Sequence, residues 1–315
     1  MTTPPTVLYI VGKGRSGSTI VDNALGGVPD FFTVGELHHL WDWGLLAGYR
    51  CGCGEPVSSC PFWTDVIART ERRLDTRLDP RAVVDWQQAV HAWPRIPRLL
   101  GAGARTVRRW PELRRYVAVL EALYAEIAAV SGANVIVDAT KWPTAPTPLG
   151  LVPSVDVRLV HLVRDPRAVV HSWQRRKALS DRADGAMPRR NALTSMISWT
   201  VRNLVAERVG ARWPTDRWLR VRYEDVVTEP AEWFGRMVTL AGHPGAALPL
   251  EGARTVVLGE NHTVGGNEGR MRTGPVELRP DDEWMAAQTR GDRSVATLLA
   301  LPLLRRYGYP VRASR

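Results

Sequence analysis

Eight residues near the N-terminus, GKGRSGST at positions 12–19, have the composition of a phosphate-binding loop. Gly12, Gly17 and Thr19 match the pattern GxxxxGK[ST], but Ser18 stands where that pattern has a lysine. The backbone amides of such a loop can point at an anion, and the positive end of the following helix adds to the attraction. The alternative is a glycine turn that only joins a strand to a helix. The missing lysine argues against ordinary ATP or GTP chemistry, in which a lysine and Mg²⁺ neutralise the transferred phosphoryl group.

A second candidate anion site lies in RDPRAVVHS, where Arg164 ends an apolar run and Ser172 follows eight residues later. Asp165 can cap a helix whose first residue is Pro166. Ser172 would then lie two turns into that helix and face the same groove as Arg164, whose planar guanidinium suits a phosphate. A buried arginine in a structural ion pair is the alternative. It is less favoured because two anion motifs occur on two strand–helix units.

Together these motifs resemble those of the sulfotransferases that use 3′-phosphoadenosine 5′-phosphosulfate (PAPS), in particular the bacterial type, a family with a P-loop-like α/β fold. The 5′-phosphosulfate loop of that family has the form [KR]-S-G-[ST]-T, which residues 15–19 match throughout. Its 3′-phosphate pair is an arginine and a serine eight residues on, as in Arg164 and Ser172. The resemblance also extends to VDATKWP (137–143), RYEDVVTEP (222–230) and HTVGGNEGRMRTG (262–274).

The resemblance implies a set of residues that bind PAPS or its product, adenosine 3′,5′-bisphosphate. The segment 262–274 is similar to the family's C-terminal cofactor loop, where Asn267 and Arg270 are our choices and Arg272 is a competitor. Because transfer in the family is metal-free, no metal cofactor is expected. The implied cofactor-binding residues are Gly14, Arg15, Ser16, Gly17, Ser18, Thr19, Arg164, Ser172, Asn267 and Arg270.

Catalysis of this kind needs a base for the proton of the acceptor hydroxyl and cations for the charge that grows on the leaving phosphate. Glu36, in TVGELHHLW, is the base that the resemblance implies, because bacterial and Golgi-type members commonly place a glutamate there. His38 and His39 are competing bases, since an ordinary histidine titrates nearer neutrality. Arg15 and Lys141 are expected to hold the sulfuryl and bridging oxygens, and an arginine can do so only electrostatically.

The acceptor side is less well specified by the sequence, which has 13 tryptophans and 4 phenylalanines. His38, Trp41 and Trp142 are the candidate substrate residues, although each tryptophan taken alone is more typical of the core than of a ligand site. If several tryptophans do line a pocket, the acceptor is a small molecule that is at least partly apolar, such as a phenol, sterol, polyketide or lipid-linked alcohol.

Three cysteines lie close together in CGCGEPVSSC, at positions 51, 53 and 60. With His38, His39 or Asp65 they could form a tetrahedral zinc site, but CxC lacks the two to four intervening residues of the usual zinc modules. We therefore favour a loop packed by small residues, in which Cys53 and Cys60 could form a regulatory disulfide.

The elements that position these residues follow from the apolar runs. The sequence predicts strands at 6–11, 134–140, 155–163 and 217–227, separated by helices, and hence a parallel sheet with helices on both faces. A long helical segment at about 61–131 interrupts this alternation. The expected architecture is one sulfotransferase domain over residues 1–315, of three layers, with the 61–131 insertion forming part of the acceptor side.

Composition limits the alternatives. The net charge of +10 favours an anionic partner. No long uncharged apolar run and no secretory signal are visible, so we expect a cytoplasmic protein without a membrane span. A monomer and a homo-oligomer both remain open. A P-loop-class kinase with Asp138 as its magnesium ligand and a polyanion- or nucleic-acid-binding module are the alternatives. The informative arginines stand singly at strand ends rather than in one patch, so we expect no nucleic-acid partner.

Overall fold

In a computed structural model, which describes residues 4–175 and 190–312, the centre of the protein is a five-stranded parallel sheet. The strand order is β2-β3-β1-β4-β5. Its strands are β1 (Thr6–Gly12), β2 (Phe31–Gly35), β3 (Val135–Lys141), β4 (Asp156–Val163) and β5 (Trp218–Arg222). The predicted α/β fold with a central parallel sheet is therefore confirmed.

Helices cover both faces of this sheet, as the near-continuous apolar strands require. They are α1 (Ser18–Leu25), α2 (Pro61–Leu74), α3 (Pro80–His91), α4 (Ile96–Leu100), α5 (Ala104–Arg109), α6 (Pro111–Ser131), α7 (Pro146–Leu149), α8 (Pro166–Gln174), α9 (Ala192–Gly210), α10 (Tyr223–Thr228), α11 (Pro230–Leu240), α12 (Glu283–Ala287) and α13 (Arg290–Arg306). None of the helices within the described ranges has the length and apolar character that crossing a membrane requires.

Alternate residues of β1 separate two hydrophobic cores. Val7, Tyr9 and Val11 face a core that contains residues of α2, α3 and α6. Leu8 and Ile10 face the opposite core, which contains residues of α1 and α11. Because a strand turns successive side chains to opposite faces, this short central strand is buried on both sides and fixes the start of the loop that follows it.

Strand β3 has a bulge of one residue opposite its neighbour β1. Tyr9 pairs with Asp138, but Val11 pairs with Lys141, so two steps along β1 correspond to three along β3. Such a bulge re-aims the side chains that follow it. Here it precedes Lys141, which has a φ of 63°, in the left-handed region that few non-glycine residues adopt.

One predicted strand is wrong in its second half. Strand β5 ends at Arg222, and residues Tyr223–Thr228 form helix α10 instead of continuing the strand. Glu224 and Asp225 lie in the first turn of this helix, where carboxylates interact favourably with the helix dipole. Asp225 also pairs with Arg222 at 2.5 Å. The β-branched pair at 226–227 suggested a strand, but these local charges favour a helix.

After α11 the alternation of strands and helices stops, as predicted. A small antiparallel sheet follows, consisting of β6 (Leu250–Glu251), β7 (Thr255–Leu258) and β8 (Gly274–Glu277). The polar loop between β7 and β8 contains one 3₁₀ turn, Glu268–Met271, and returns to the main sheet, where Val264 forms a bridge with Gly35.

Candidate active site

The loop between β1 and α1 depends on glycine at two positions. Gly12 has a φ of 151°, and a Cβ there would lie 2.4 Å from the carbonyl oxygen of Leu162. Gly17 has a φ of 84°, and a Cβ there would lie 2.1 Å from the ring of Tyr223. Any larger residue would displace the loop, so these glycines allow its backbone to pass between neighbouring strands and α10.

The two anion motifs predicted from the sequence meet at Arg15. Its Nε donates a hydrogen bond to Ser172 Oγ at 3.0 Å, and its carbonyl oxygen accepts one from Arg164 Nη1 at 2.9 Å. Arg164 Nη2 also lies 2.6 Å from a carboxylate oxygen of Asp281. Burial, and then the charges of Arg164 and Arg175, lower the pKa of Arg15 from its usual value. The structure thus brings Arg15, Arg164 and Ser172 into one site.

The remaining predicted loop residues surround the same point. Ser16 and Ser18 are buried, at the end of the loop and in the first turn of α1. Thr19 Oγ1 faces Gly266 of the polar loop. A Cβ on Gly14 would lie 3.7 Å from the ring of Trp173, so this residue is close to the C-terminal end of α8.

A buried lysine adds to the positive charge of the site. Lys13 is 3% exposed, and its Nζ lies 4.9 Å from the centre of the Trp173 ring. Burial, followed by the charges of Arg202 and Arg190, lowers the pKa of Lys13 to about 7. Arg202 comes from α9, whose sequence has no anion motif, so the sequence analysis did not find it. Closely spaced cations of this kind stabilise a bound anion.

Glu36 and Lys141 form an ion pair at the ends of neighbouring strands. The distance between Lys141 Nζ and Glu36 Oε1 is 2.6 Å, and the ammonium also donates to the carbonyl oxygen of Ala139 at 2.8 Å. Glu36 follows β2 directly, and its amide donates to the carbonyl oxygen of Val264 at 2.7 Å. The candidate base and the candidate lysine predicted from the sequence are therefore in direct contact.

Of the competing bases, His38 lies with its ring parallel to Trp142, with 5.7 Å between ring centres. Burial, and then the charges of His91 and His39, hold the pKa of His38 well below its usual range. His38 is thus a neutral and weakly basic imidazole. His39 Nε2 lies 4.0 Å from Glu36 Oε2, and His39 Nδ1 bonds Asp42 Oδ2 at 3.0 Å.

A cavity of about 320 Å³ opens beside Trp142, between the helical insertion and α9. Its walls are mainly apolar and include Trp93, Ile96, Ile197 and Val201, together with Arg202, whose guanidinium lies 4.4 Å from the centre of the Trp142 ring. Cavities of this size hold small molecules. Trp41, the other predicted tryptophan, is 2% exposed and packs in the core, outside the lining of this cavity.

The polar loop places Asn267 and Arg270 beside α1. Asn267 Oδ1 accepts a hydrogen bond from the amide of Gly269 at 2.8 Å and so caps the 3₁₀ turn. Arg270 is 1% exposed and donates to the carbonyl oxygen of Arg50 at 2.8 Å, while its competitor Arg272 is exposed. A hydrogen bond from Asn23 of α1 to the carbonyl oxygen of Arg270 fixes this turn. Arg270 therefore contacts α1 and Arg50, whereas Arg164 contacts Arg15 and Asp281.

Asp138 does not have the surroundings of a magnesium ligand. It is 2% exposed, and one oxygen accepts a hydrogen bond from Tyr124 Oη at 2.5 Å, while the other accepts one from the Thr140 amide at 2.8 Å. Burial raises the pKa of Asp138 above its usual range. Both oxygens are thus engaged within the core, which disfavours the kinase alternative.

Comparison with known proteins identifies a matching protein family and solved structures with a similar fold. A family model described as the sulfotransferase family matches residues 5–246. The sulfotransferase domain of an olefin synthase from Synechococcus PCC 7002 is 18% identical and superposes with a TM-score of 0.55 over 98% of this chain and 97% of that one. The sulfotransferase domain from the curacin biosynthetic pathway is 16% identical, with a TM-score of 0.52 over 98% and 100% of the two chains. At these identities the structural likeness concerns the fold alone. A search of curated protein sequences gives no match.

Proposed function

The chain belongs to the sulfotransferase family, and we propose that it transfers a sulfuryl group from PAPS to a hydroxyl group, or less readily an amine, of a small-molecule acceptor. The observation that carries this proposal is the group of cations around the glycine loop. Arg15 and Arg164 are in contact there, and burial and then the charge of Arg164 lower the pKa of Arg15. Burial and then the charges of Arg202 and Arg190 lower the pKa of Lys13 in the same loop. An anion with phosphate and sulfate groups would relieve that repulsion.

In this proposal the loop and the start of α1 hold the 5′-phosphosulfate. The amides of residues 14–19 point at its oxygens, and Arg15 contributes its fixed positive charge. Arg164 and Ser172 hold the 3′-phosphate. Because Arg164 already contacts Asp281 at 2.6 Å, the phosphate must share or displace that carboxylate. Asn267 and Arg270 contribute to cofactor binding from the polar loop beside α1.

Glu36 would take the proton of the acceptor. As the acceptor oxygen forms its bond to sulfur, its proton passes to a Glu36 oxygen, and the electrons of the breaking S–O bond leave with the 5′-phosphate oxygen of adenosine 3′,5′-bisphosphate. Lys141, 2.6 Å from Glu36, orients that carboxylate and, with Arg15, stabilises the charge on the leaving oxygen. His38, held neutral by burial, is the less suitable base.

The acceptor would bind in the cavity beside Trp142. This residue directly follows Lys141, so the cavity begins next to the proposed base and lysine. Its walls come from the helical insertion and α9, which makes the insertion part of the acceptor side within a single domain. The apolar lining favours an acceptor with an apolar body and one reactive hydroxyl group.

A comparison of thermal protection by two nucleotides tests this proposal. Adenosine 3′,5′-bisphosphate at 100 times its Kd should stabilise the protein by about 2.7 kcal/mol, with a smaller effect of ATP and Mg²⁺. Arg164→Ala should remove most of the protection. Arg236→Ala, which changes an exposed arginine on α11, is the matched control and should leave it unchanged. Stronger protection by ATP and Mg²⁺ would overturn the proposed donor.

A further inference from the structure

Three cysteines from one segment of the sequence and a histidine from a distant segment lie close together in the structure. Cys51, Cys53 and Cys60 come from the loop before α2, and His262 comes from the polar loop after β7. The four candidate ligand atoms, three Sγ and one Nδ1, all lie within 4.8 Å of one another. In the part of the chain that the structure describes, this group is the one set of metal-ligating side chains brought so close together.

Three of the six distances within this group match the edges of a tetrahedron around one ion, and the other three are at most 4.8 Å. His262 Nδ1 lies 3.3 Å from Cys60 Sγ and 3.6 Å from Cys51 Sγ, and the sulfurs of Cys53 and Cys60 are 3.7 Å apart. With zinc bonds of about 2.3 Å to sulfur and about 2.0 Å to nitrogen, a tetrahedral site has edges of about 3.8 Å between sulfurs and about 3.5 Å between sulfur and nitrogen.

The surrounding structure holds the histidine ring in the required orientation. The ring stacks on Phe62, with 5.0 Å between centres and 13° between planes, and the His262 carbonyl oxygen accepts a hydrogen bond from Trp63 Nε1 at 2.8 Å. On the cysteine side, the Gly52 amide donates to the carbonyl oxygen of Thr263 at 2.9 Å. A Cβ on Gly52 would lie 1.8 Å from Asn261 Oδ1, so only glycine allows the two loops this close approach.

We propose that Cys51, Cys53, Cys60 and His262 bind one zinc(II) ion in a closed, structural site. Three thiolates and one neutral imidazole are a soft ligand set that suits zinc, and four protein ligands leave no position for a reacting water. Binding replaces three thiol protons and involves no oxidation or reduction. The sequence analysis favoured a loop packed by small residues because CxC lacks the spacing of the usual zinc modules. It sought the fourth ligand among His38, His39 and Asp65, whereas His262 is 202 residues beyond Cys60.

Such an ion would link the polar loop, through His262, to the cysteine loop before α2. Two residues beyond His262, Val264 accepts the hydrogen bond from the Glu36 amide, and the same loop continues to Asn267 and Arg270. We infer that zinc positions this loop for the cofactor, a consequence that rests on the proposed function. The presence of the metal does not rest on it.

Metal content tests the site directly. The full chain, produced in zinc-supplemented medium and purified under reducing conditions, should contain about one zinc ion per chain by mass spectrometry of the elements. Cys53→Ser should lose most of the zinc, and since this side chain is exposed, the variant is suited to retaining the fold. Ser58→Ala, an exposed change in the same loop, is the control and should retain the metal.

A second measurement does not depend on any variant. Replacement of zinc by cobalt(II) in the wild-type chain should give the charge-transfer and intense visible bands of a tetrahedral thiolate site. A chain that binds no zinc, binds iron or copper instead, or contains a Cys53–Cys60 disulfide would overturn the proposal.

Failure of the metal site and failure of the proposed function are distinguishable. Zinc binding in a chain that is not protected by adenosine 3′,5′-bisphosphate would leave the metal site standing and contradict the proposed donor. If both hold, Cys53→Ser should weaken adenosine 3′,5′-bisphosphate binding, and Ser58→Ala should not. Unchanged nucleotide affinity in a zinc-free Cys53→Ser chain would overturn the positioning role alone.

Discussion

At the scale of single residues, the site is defined by buried cations more than by any one catalytic group. The sequence was sufficient to select Arg15, Arg164 and Ser172 as candidates, because each lies in a short local pattern that begins near the end of a strand, and the structure brings the three together. The sequence did not predict that Lys13 would be buried, or that Arg202 would lie near it. These depend on the packing of α8 and α9 against the loop, which no local pattern records.

The pKa of Lys13, lowered to about 7, predicts a pH dependence of nucleotide binding. A bound anion favours the protonated lysine, so its pKa rises on binding and binding takes up a proton. Between pH 7 and 9, where phosphate groups are already fully charged, the Kd of adenosine 3′,5′-bisphosphate should rise by about tenfold per pH unit until the pKa of the complex is reached. Titration calorimetry at several pH values measures this. Lys13→Arg should flatten the profile, and a flat wild-type profile would contradict the role of Lys13.

Glu36→Gln tests the proposed base. The amide keeps the shape of the side chain but cannot take the acceptor proton, so kcat should fall by about 10²–10⁴ while the affinity for adenosine 3′,5′-bisphosphate changes little. Transfer of labelled sulfate from PAPS to a panel of phenols provides the rate. Glu260→Gln, at an exposed carboxylate, is the control. Full activity of Glu36→Gln would move the role to His38 or His39.

At the scale of elements, the position of α9 determines the shape of the cavity beside Trp142, the proposed acceptor site. This helix contributes Ile197, Val201 and Arg202 to the wall that faces Trp142. The sequence predicted tryptophans on the acceptor side, but it could not separate Trp142 from Trp41, since both lie near β-strand ends in similar apolar contexts. Only the tertiary arrangement shows that Trp41 is packed in the core.

A pair of substitutions on α9 tests the cavity. Val201→Trp should fill it and weaken binding of the neutral apolar dye N-phenyl-1-naphthylamine by about tenfold or more, the effect of losing roughly 1.4 kcal/mol or more. Leu204→Trp, on the exposed face of the same helix, should not. Dye fluorescence gives both affinities. Nucleotide affinity should be the same in both variants, and equal dye binding by the two would argue against the cavity as an apolar binding site.

At the scale of the whole molecule, the five-stranded sheet places four of the proposed groups at the carboxyl edge of its parallel strands. The loop after β1, Glu36 after β2, Lys141 at the end of β3 and Arg164 after β4 all follow this rule of open parallel sheets. Because the rule depends on the parallel direction of the strands, the predicted parallel sheet was sufficient to indicate its carboxyl edge as the place of the site. They could not predict contacts between distant loops, such as those of His262 with the three cysteines, which depend on how the polar loop returns to β2.

The bulge between β1 and β3 has a consequence for relatives of this protein. Since β3 advances three residues while β1 advances two, the extra residue lies immediately before the strand end at which Lys141 contacts Glu36. A relative that lacked it would present the side chain before or after its lysine to the same point, even if every residue type were unchanged. Counterparts of Lys141 in divergent sequences are therefore defined by strand pairing in space, and matching residue numbers along an ungapped strand would select a neighbour instead.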